Sequence, residues 1–201
     1  MKCKHCQNPA TYKCTVCGAL LCPQHTRLQT TCPTHTTKTT PIRYTITKAT
    51  TDKEKSQIQK LVKQFWGEPQ QLTFNKTYTI TNLPTYIAKT RQNSIIGFIT
   101  YTQTKNATLI IALAIHPQHQ NKGIAKRLIA KIETEAKQQK KKRLLVSTSN
   151  DDLPALAFYQ HLGFQTTQIK PNVIAQKHGT TLKGIGGLPI RDEIRLQKTI
   201  E

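Results

Sequence analysis

The chain has 201 residues, with 30 Lys and Arg against 10 Asp and Glu, which gives a formal net charge of +20 at pH 7. This length suits one medium domain and a small second unit. The charge favours polyanionic partners, with a generally basic surface as the alternative. No apolar run is long enough for a transmembrane helix, and the first residues, MKCKHC, contain no apolar signal segment, so a cytoplasmic protein is expected.

All six cysteines lie between residues 3 and 32, and with two histidines they form four pairs: C-x2-C twice, then C-x2-H twice. Their confinement to one segment argues against a disulfide scaffold. Pairs of this spacing place both donors on one metal ion, and eight such ligands suffice for two structural zinc ions. The predicted metal ligands are Cys3, Cys6, Cys14, Cys17, Cys22, His25, Cys32 and His35.

We expect the two sites of this module, residues 1 to 36, to be interleaved, because Cys17 and Cys22 are too close for separate compact sites. Cys3, Cys6, Cys22 and His25 would hold one metal, and the other four ligands the second. The arrangement resembles the cross-brace zinc fingers of the B-box and HIT types. One zinc ion or a redox dithiol is the alternative. The module is expected to dock a protein or nucleic acid, and metal binding would supply its folding energy.

A linker is predicted at residues 37 to 42, followed by a strand from Arg43 to Thr47. Thr51 and Glu54 have the spacing of a capping box, and apolar residues at helical spacing follow them. Gly67 is a stop signal for this helix. A strand, a linker and a capped helix are therefore expected before residue 70.

Two strands of a hairpin are predicted at Tyr86 to Lys89 and Ser94 to Tyr101. The next strand, Ala107 to Ile115, has only Thr108 as a polar residue, a pattern typical of a strand buried on both faces. Apolar residues from Ile124 to Ala136 then recur at helical spacing.

The turn between this strand and this helix is a candidate anion site, because the N–H groups of a first helical turn have no intrahelical acceptor. Gly123 and Ala125 would let a phosphate approach the backbone closely, and Lys122 and Lys126 add positive charge. An ordinary strand-to-helix turn is the alternative.

Later elements complete the sheet. A strand is predicted from Arg143 to Ser149, then a short helix that begins at residues 150 to 152 and ends before Gly163. Strands at Phe164 to Ile169 and Ile190 to Leu196 follow. Hairpins together with two crossovers predict an α+β chain, with a mixed central sheet flanked by helices on both faces.

Two motifs carry a family resemblance. Residues 120 to 125, Q-x-x-G-x-A, resemble the Q/R-x-x-G-x-G/A loop of the GNAT superfamily of acetyl-CoA-dependent N-acetyltransferases. Residues 150 to 164, NDDLPALAFYQHLGF, resemble a second motif of that superfamily. The block GLPIRDEI at residues 187 to 194 and Leu83-Pro84 are similar to a bacterial and archaeal subgroup. The resemblance covers about residues 43 to 200.

This resemblance implies a GNAT fold and transfer of an acetyl group from acetyl-CoA to an amine of a protein or small molecule. It places the pantetheine against the end of the buried strand and the pyrophosphate on the loop and helix that follow. The cofactor-binding residues that it implies are Leu113, Ile115, Gln120, Lys122, Gly123, Ile124, Ala125, Lys126 and Asn150.

Tyr159 stands where GNAT enzymes often place a tyrosine near the thioester sulfur, and a phenol there can protonate the departing thiolate. Packing of the helix against the sheet is the alternative for Tyr159. Many members have a glutamate base on the central strand, but Leu109 occupies that position here.

The general base is therefore sought elsewhere. Asp192 and Glu193 are the catalytic candidates, with charge compensation of the neighbouring arginines as their alternative; the others are Asp152, His116 or an ordered water. A site without a strong base suits an α-amine, with a pKa of about 7.7–8.0, better than a lysine, with a pKa of about 10.4. Activity would then reach a plateau near pH ~8.

Two other classes of function stay open. The chain could be a non-catalytic acetyl-CoA-sensing zinc-finger adaptor, which the missing carboxylate favours. It could also be a nucleic-acid-binding regulator, which its charge and the basic run from Lys137 to Arg143 favour.

Overall fold

The computed structural model describes residues 2–13, 20–24 and 42–200. The chain divides into two compact units, Met1–Pro41 and Ile42–Glu201. The helices are α1 (Asp52–Trp66), α2 (Ile124–Gln138), α3 (Leu153–His161) and α4 (Val173–His178). The strands are β1 (Tyr12–Lys13), β2 (Leu20–Leu21), β3 (Tyr44–Lys48), β4 (Gln70–Thr73), β5 (Lys76–Thr79), β6 (Thr85–Thr90), β7 (Ile95–Gln103), β8 (Ala107–Ile115), β9 (Arg143–Ser149), β10 (Gln165–Lys170), β11 (Leu182–Lys183), β12 (Pro189–Ile190) and β13 (Glu193–Thr199).

The smaller unit contains an antiparallel pair, β1 with β2, and a bridge between Lys2 and Pro9. Its buried apolar side chains, within residues 2–11 and 20–24, are Cys3, Leu21 and Cys22. A unit of this length buries only a limited fraction of its surface, and a bound metal is one way in which such units are stabilised.

The larger unit is built on a seven-stranded sheet in the order β10-β13-β9-β8-β7-β6-β3. Within this sheet β8 and β9 run parallel, and the other neighbours are antiparallel. Ile110 packs in a cluster with residues of α2, and the next residue, Ile111, packs in a cluster with residues of α1. Successive strand residues point to opposite faces, so helices cover both faces of a mixed sheet, as predicted.

Local sequence signals account for the helix ends. Thr51 and Glu54 form the reciprocal capping box of α1, and Gly67 ends that helix in the left-handed conformation. The side chain of Asp152 caps α3, with Pro154 in the first turn. No helix in the described part of the chain is long and apolar enough to cross a bilayer.

Several elements were not predicted. The hairpin β4–β5 has polar strands, QQLT and KTYT, joined by Phe74 and Asn75, which both have positive φ. A two-residue turn of this kind favours glycine and asparagine. Because Phe74 occupies its first position, the sequence lacks the usual hairpin signature. The helix α4 and the β11–β12 pair were not predicted either, and the last strand begins at Glu193 rather than Ile190.

Candidate functional site

The parallel strands at the centre of the sheet separate along their length. β8 and β9 pair only from Ala107 to Leu109 and from Arg143 to Leu145, although both strands continue beyond these residues. The register between β7 and β8 shifts just past this point, where Ile110 pairs with Tyr101 and Ala112 with Thr100. Because a bulge bends its strand, β8 leaves β9 here and a cleft opens between them.

The open edge of β8 presents backbone groups to this cleft. The N–H of His116 donates to the carbonyl of Ile96 on β7, at 2.9 Å. Since backbone groups alternate in direction along a strand, those of Leu113 and Ile115 face away from β7. The carbonyl of Ile115 accepts a hydrogen bond from Gln120 Nε2 at 3.1 Å. An extended molecule in the cleft could pair with this edge as an added strand.

A cavity of about 390 Å³ occupies the cleft. Its walls come from β8, β9 and α3, together with the end of α1, the β4–β5 hairpin and α4. The titratable residues of its lining are Asp152, Tyr159, Glu193, Glu68, Lys177 and His178.

The helix α2 begins beside the end of β8 with an unusual cap. Gly123 is its N-cap residue, has φ +75° and supplies no side-chain hydrogen bond to the first turn. A Cβ added at Gly123 would have no atom within 4 Å, so the space in front of the turn is open. The N–H groups of Ile124, Ala125 and Lys126 have no intrahelical acceptor, which makes this turn suited to an anion.

Tyr159 lies in the wall of the cavity with only 6% of its surface exposed. Its ring packs edge-on against Phe158 and Phe164, at centroid distances of 5.4 and 5.5 Å. Its hydroxyl makes no hydrogen bond with the residues that the structure describes. Burial, and then the charge of Asp152, raise the pKa of Tyr159, so the phenol keeps its proton at neutral pH.

The two predicted bases are held by their neighbouring arginines. Asp192 binds Arg191 Nε at 3.0 Å and accepts from the N–H of Asn172 at 2.8 Å. The Arg191 guanidinium lowers the pKa of Asp192, and this carboxylate is not part of the cavity wall.

Glu193 does line the cavity, but both of its oxygens are engaged. Oε2 binds Arg195 at 2.8 Å, and Oε1 accepts from the N–H of Phe74, also at 2.8 Å. These contacts favour the alternative for both residues, charge compensation, although their catalytic role stays an untested prediction.

Asp152 is different from these carboxylates. Its Oδ1 accepts from the N–H of Ala155 at 3.0 Å, and no Lys, Arg or His in the described ranges lies within 4.0 Å of it. Burial raises the pKa of Asp152; the Ala155 N–H opposes this shift, and the charge of Asp151 adds to it. The pattern of an N-cap residue before Pro154 predicted the position of Asp152 in the helix. It did not predict that Asp152 has no cationic partner among the described residues.

Two other predicted residues have structural partners. Asn150 Oδ1 accepts from the N–H groups of Arg191 and Asp192, and its Nδ2 donates to the carbonyl of Pro189 at 2.8 Å. The cofactor contact predicted for Asn150 would have to use its remaining N–H. His116 follows the last residue of β8, precedes a short 3₁₀ turn at Pro117–His119 and does not line the cavity.

Among the predicted metal ligands, Cys3, Cys6 and Cys22 converge, with their Sγ atoms within 4.8 Å of one another. The other five, Cys14, Cys17, His25, Cys32 and His35, lie outside the described residues.

Comparison with known proteins gives related sequences and folds. The family model of the acetyltransferase (GNAT) family matches residues 54–164. The uncharacterized protein YxbD of Bacillus subtilis (strain 168) is 30% identical over 151 residues, which are 73% of this chain and 94% of that protein.

Two solved structures share the fold. An IAA acetyltransferase from Bacillus cereus ATCC 14579 has a TM-score of 0.64 and 24% identity, over 79% of this chain and all of that one. A GNAT family acetyltransferase from Elizabethkingia anophelis with acetyl-CoA bound has a TM-score of 0.60 and 23% identity, over 78% of this chain and 98% of that one.

Proposed function

Because this chain belongs to the GNAT family of acetyltransferases, we propose that Ile42–Glu201 is an N-acetyltransferase that moves an acetyl group from acetyl-CoA to an amine. The observation that carries this proposal is the cleft between β8 and β9, which opens next to the first turn of α2. The open edge of β8 suits the extended pantetheine arm of the cofactor, and the first turn of α2 suits its phosphates. The Elizabethkingia anophelis relative, whose structure contains acetyl-CoA, supports the same cofactor here.

In this proposal the pantetheine arm of acetyl-CoA lies along the open edge of β8. Its amides pair with the backbone of Leu113 and Ile115, which face away from β7. The pyrophosphate binds the N–H groups of the first turn of α2, where Gly123 leaves open space. Lys122 and Lys126 add positive charge beside this turn. The predicted contacts of Ile124 and Ala125 belong to this turn, and that of Gln120 to the loop before it.

The reaction needs a group that protonates the leaving thiolate. The amine nitrogen attacks the thioester carbonyl, the C–N bond forms, and the C–S bond breaks as the tetrahedral intermediate collapses. Tyr159 is the proposed general acid, because it lines the cavity and keeps its proton at neutral pH. Its hydroxyl would donate to the CoA sulfur as the C–S bond breaks.

Asp152 is the proposed general base, and it also attracts a cationic acceptor. The other cavity carboxylates are paired, Glu68 with Lys177 and Glu193 with Arg195. Asp152 therefore gives the cavity wall an uncompensated negative charge in a chain of net charge +20. A carboxylate remains a weak base even when burial raises its pKa, so we assign an amine of low pKa, such as an α-amine, as acceptor.

The N-terminal unit is proposed to recruit the acceptor or a partner, with two structural Zn²⁺ ions. Protein is the favoured partner over nucleic acid, since the cationic residues of this unit are scattered in the sequence. The competing function is an adaptor that binds acetyl-CoA without turnover. The buried Leu109 favours it, because the central strand β8 has no carboxylate.

The decisive experiment is a calorimetric titration of the full chain with acetyl-CoA, followed by an assay for acetyl transfer to α-amines. Gly123→Glu should abolish binding, because it places bulk and negative charge in the proposed phosphate site. Gly163→Glu is the matched control: Gly163 also has positive φ, at +86°, but does not line the cavity. Binding without transfer would establish the adaptor, and equal binding by both variants would overturn the cofactor site.

A further inference from the structure

The N-terminal unit contains a cluster of three thiols. Cys3 and Cys6 belong to one turn, and Cys22 comes directly after β2, so segments 16 residues apart supply the sulfur atoms. All three Sγ atoms lie within 4.8 Å of one another, and the Sγ atoms of Cys6 and Cys22 are 3.6 Å apart. Cys3 and Cys22 are buried, at 6% and 1% exposure.

These separations fit a metal better than a covalent bond. Zinc binds thiolate sulfur at about 2.3 Å, so two sulfurs on adjacent vertices of a tetrahedron are about 3.8 Å apart. The Cys6–Cys22 distance of 3.6 Å is close to that edge. A disulfide joins sulfur atoms at about 2.05 Å. One ion can therefore touch all three sulfurs without a large movement of the backbone.

The backbone around the thiols holds them in this arrangement. The N–H of Cys3 donates to the carbonyl of Asn8 at 3.0 Å, and the N–H of Lys4 donates to the carbonyl of Leu20 at 2.8 Å. The N–H of His5 donates to Cys3 Sγ at 3.4 Å, a contact that stabilises negative charge on this sulfur. The turn that contains Cys3 and Cys6 is thus hydrogen-bonded to β2, which directly precedes Cys22.

We propose that Cys3, Cys6 and Cys22 bind one structural Zn²⁺ ion through their thiolates. Zinc is chosen because a soft, sulfur-rich and tetrahedral ligand set is the one that it prefers and because no redox chemistry is required. The three thiols release their protons to solvent when the ion binds. The three thiols carry the proposal; His25, which the C-x2-H spacing predicts as the fourth ligand, lies outside the described residues.

This site adds to the small interior that the described side chains of this unit form. Within residues 2–11 and 20–24 the buried apolar residues are Leu21 and the two cysteines Cys3 and Cys22. Metal binding then becomes folding free energy for this unit. The inference does not depend on acetyl transfer, since none of these residues lies in Ile42–Glu201.

The test uses the full chain, purified without chelator and under reducing conditions. Its zinc content is measured by elemental analysis, and its Co²⁺-loaded form by absorption, because thiolate-to-cobalt charge transfer reports sulfur ligation. Cys6→Ser should lower the zinc content by one ion per chain and weaken the charge-transfer band. Gln7→Ser, an exposed neighbour in the same turn, should change neither quantity.

Acetyl-CoA binding by each variant shows that the rest of the chain is folded, so a failed acetyl-transfer proposal would not be confused with a failed metal site. Zinc content and charge-transfer band that are equal in wild type and Cys6→Ser would overturn the proposal. So would a wild-type chain that holds no zinc, or one in which mass spectrometry finds Cys6 and Cys22 joined as a disulfide.

Discussion

The two units of this protein differ in what their interiors are made of. In Ile42–Glu201 two apolar clusters sit on opposite faces of the sheet, with Leu128 and Ile58 among their buried residues. In the described part of Met1–Pro41, two of the three buried apolar residues are cysteines, Cys3 and Cys22. The larger unit can fold by burying hydrocarbon, whereas a unit as short as the smaller one is expected to need a further contribution, which the proposed zinc would supply.

The difference extends to how each unit keeps its functional groups in place. Tyr159 is positioned by packing against Phe158 and Phe164, and Asp152 is positioned by capping α3. The thiols are positioned by a turn and a two-residue strand. Perturbing one unit should therefore leave the other intact.

Chelation should give the largest effect. A strong chelator added to the full chain is expected to unfold the N-terminal unit, since structural zinc contributes about 10–16 kcal/mol to comparable modules. Acetyl-CoA affinity should not change, because all six cysteines precede residue 33. Hydrogen exchange of residues 2–24 measures the unfolding of the N-terminal unit, and calorimetry with acetyl-CoA measures cofactor affinity. A parallel loss of acetyl-CoA binding would contradict the separation of the units.

Tyr159→Phe should lower kcat by about 10²–10⁴-fold, the range for loss of a general acid, and leave acetyl-CoA binding unchanged. The ring contacts with Phe158 and Phe164 are kept, and only the hydroxyl is lost. Steady-state kinetics make the measurement. Tyr78→Phe is the matched control, because Tyr78 is half-buried and outside the cavity wall. Unchanged turnover in Tyr159→Phe would show that Tyr159 only packs α3 against the sheet and is not the general acid.

Asp152→Asn tests the proposed base without removing the helix cap, because asparagine caps helices as well as aspartate does. We expect kcat with an α-amine to fall by roughly 10²-fold at neutral pH, with thermal stability nearly unchanged. The pKa of Tyr159 should fall, since the charge of Asp152 helps to raise it. Asp52→Asn, in the first turn of α1, is the control, and equal activity of both variants would exclude Asp152 as the base.

The smallest predicted effect concerns Glu54. A hydrogen bond from Lys89, assisted by the N–H groups of Thr50 and Thr51, lowers the pKa of Glu54 to about 2. An unfolded glutamate has a pKa of about 4.3, so this stabilisation is complete above that value and is lost as the pH falls toward 2.

Glu54→Gln should therefore cost about 1 kcal/mol of unfolding free energy at pH 7, the usual size of a helix cap. Urea unfolding measures this difference. The gap between wild type and variant should shrink as the pH falls from about 4.3 toward 2, because the wild-type carboxyl then becomes neutral too. A gap that is independent of pH would assign the effect to packing instead.

Periodicity and local signals were sufficient for most elements of the larger unit. β8 and β9 have the bounds predicted from their apolar runs, and the capping box of α1 is formed by Thr51 and Glu54. The hairpin β4–β5 escaped prediction because its stability comes from contacts far away in sequence. Thr73 bonds to Ser147, and the N–H of Phe74 binds Glu193.

The candidate site shows the same division. Charge pairing of Glu193 with Arg195 was foreseeable, because residues two apart share one face of a strand. That Asp152 has no cationic partner in the described chain was not foreseeable, because Coulomb interactions depend on distance in space and not on spacing in sequence.

The sequence by itself determined the family, the strand, turn and helix that form the candidate anion site, and the grouping of the cysteines, since all of these depend on neighbours along the chain. Tertiary structure alone decided where β8 leaves β9, which carboxylates find a cation, and that Cys22 meets the turn of Cys3 and Cys6. These features depend on how strands separate and how distant segments pack, which a linear pattern does not encode.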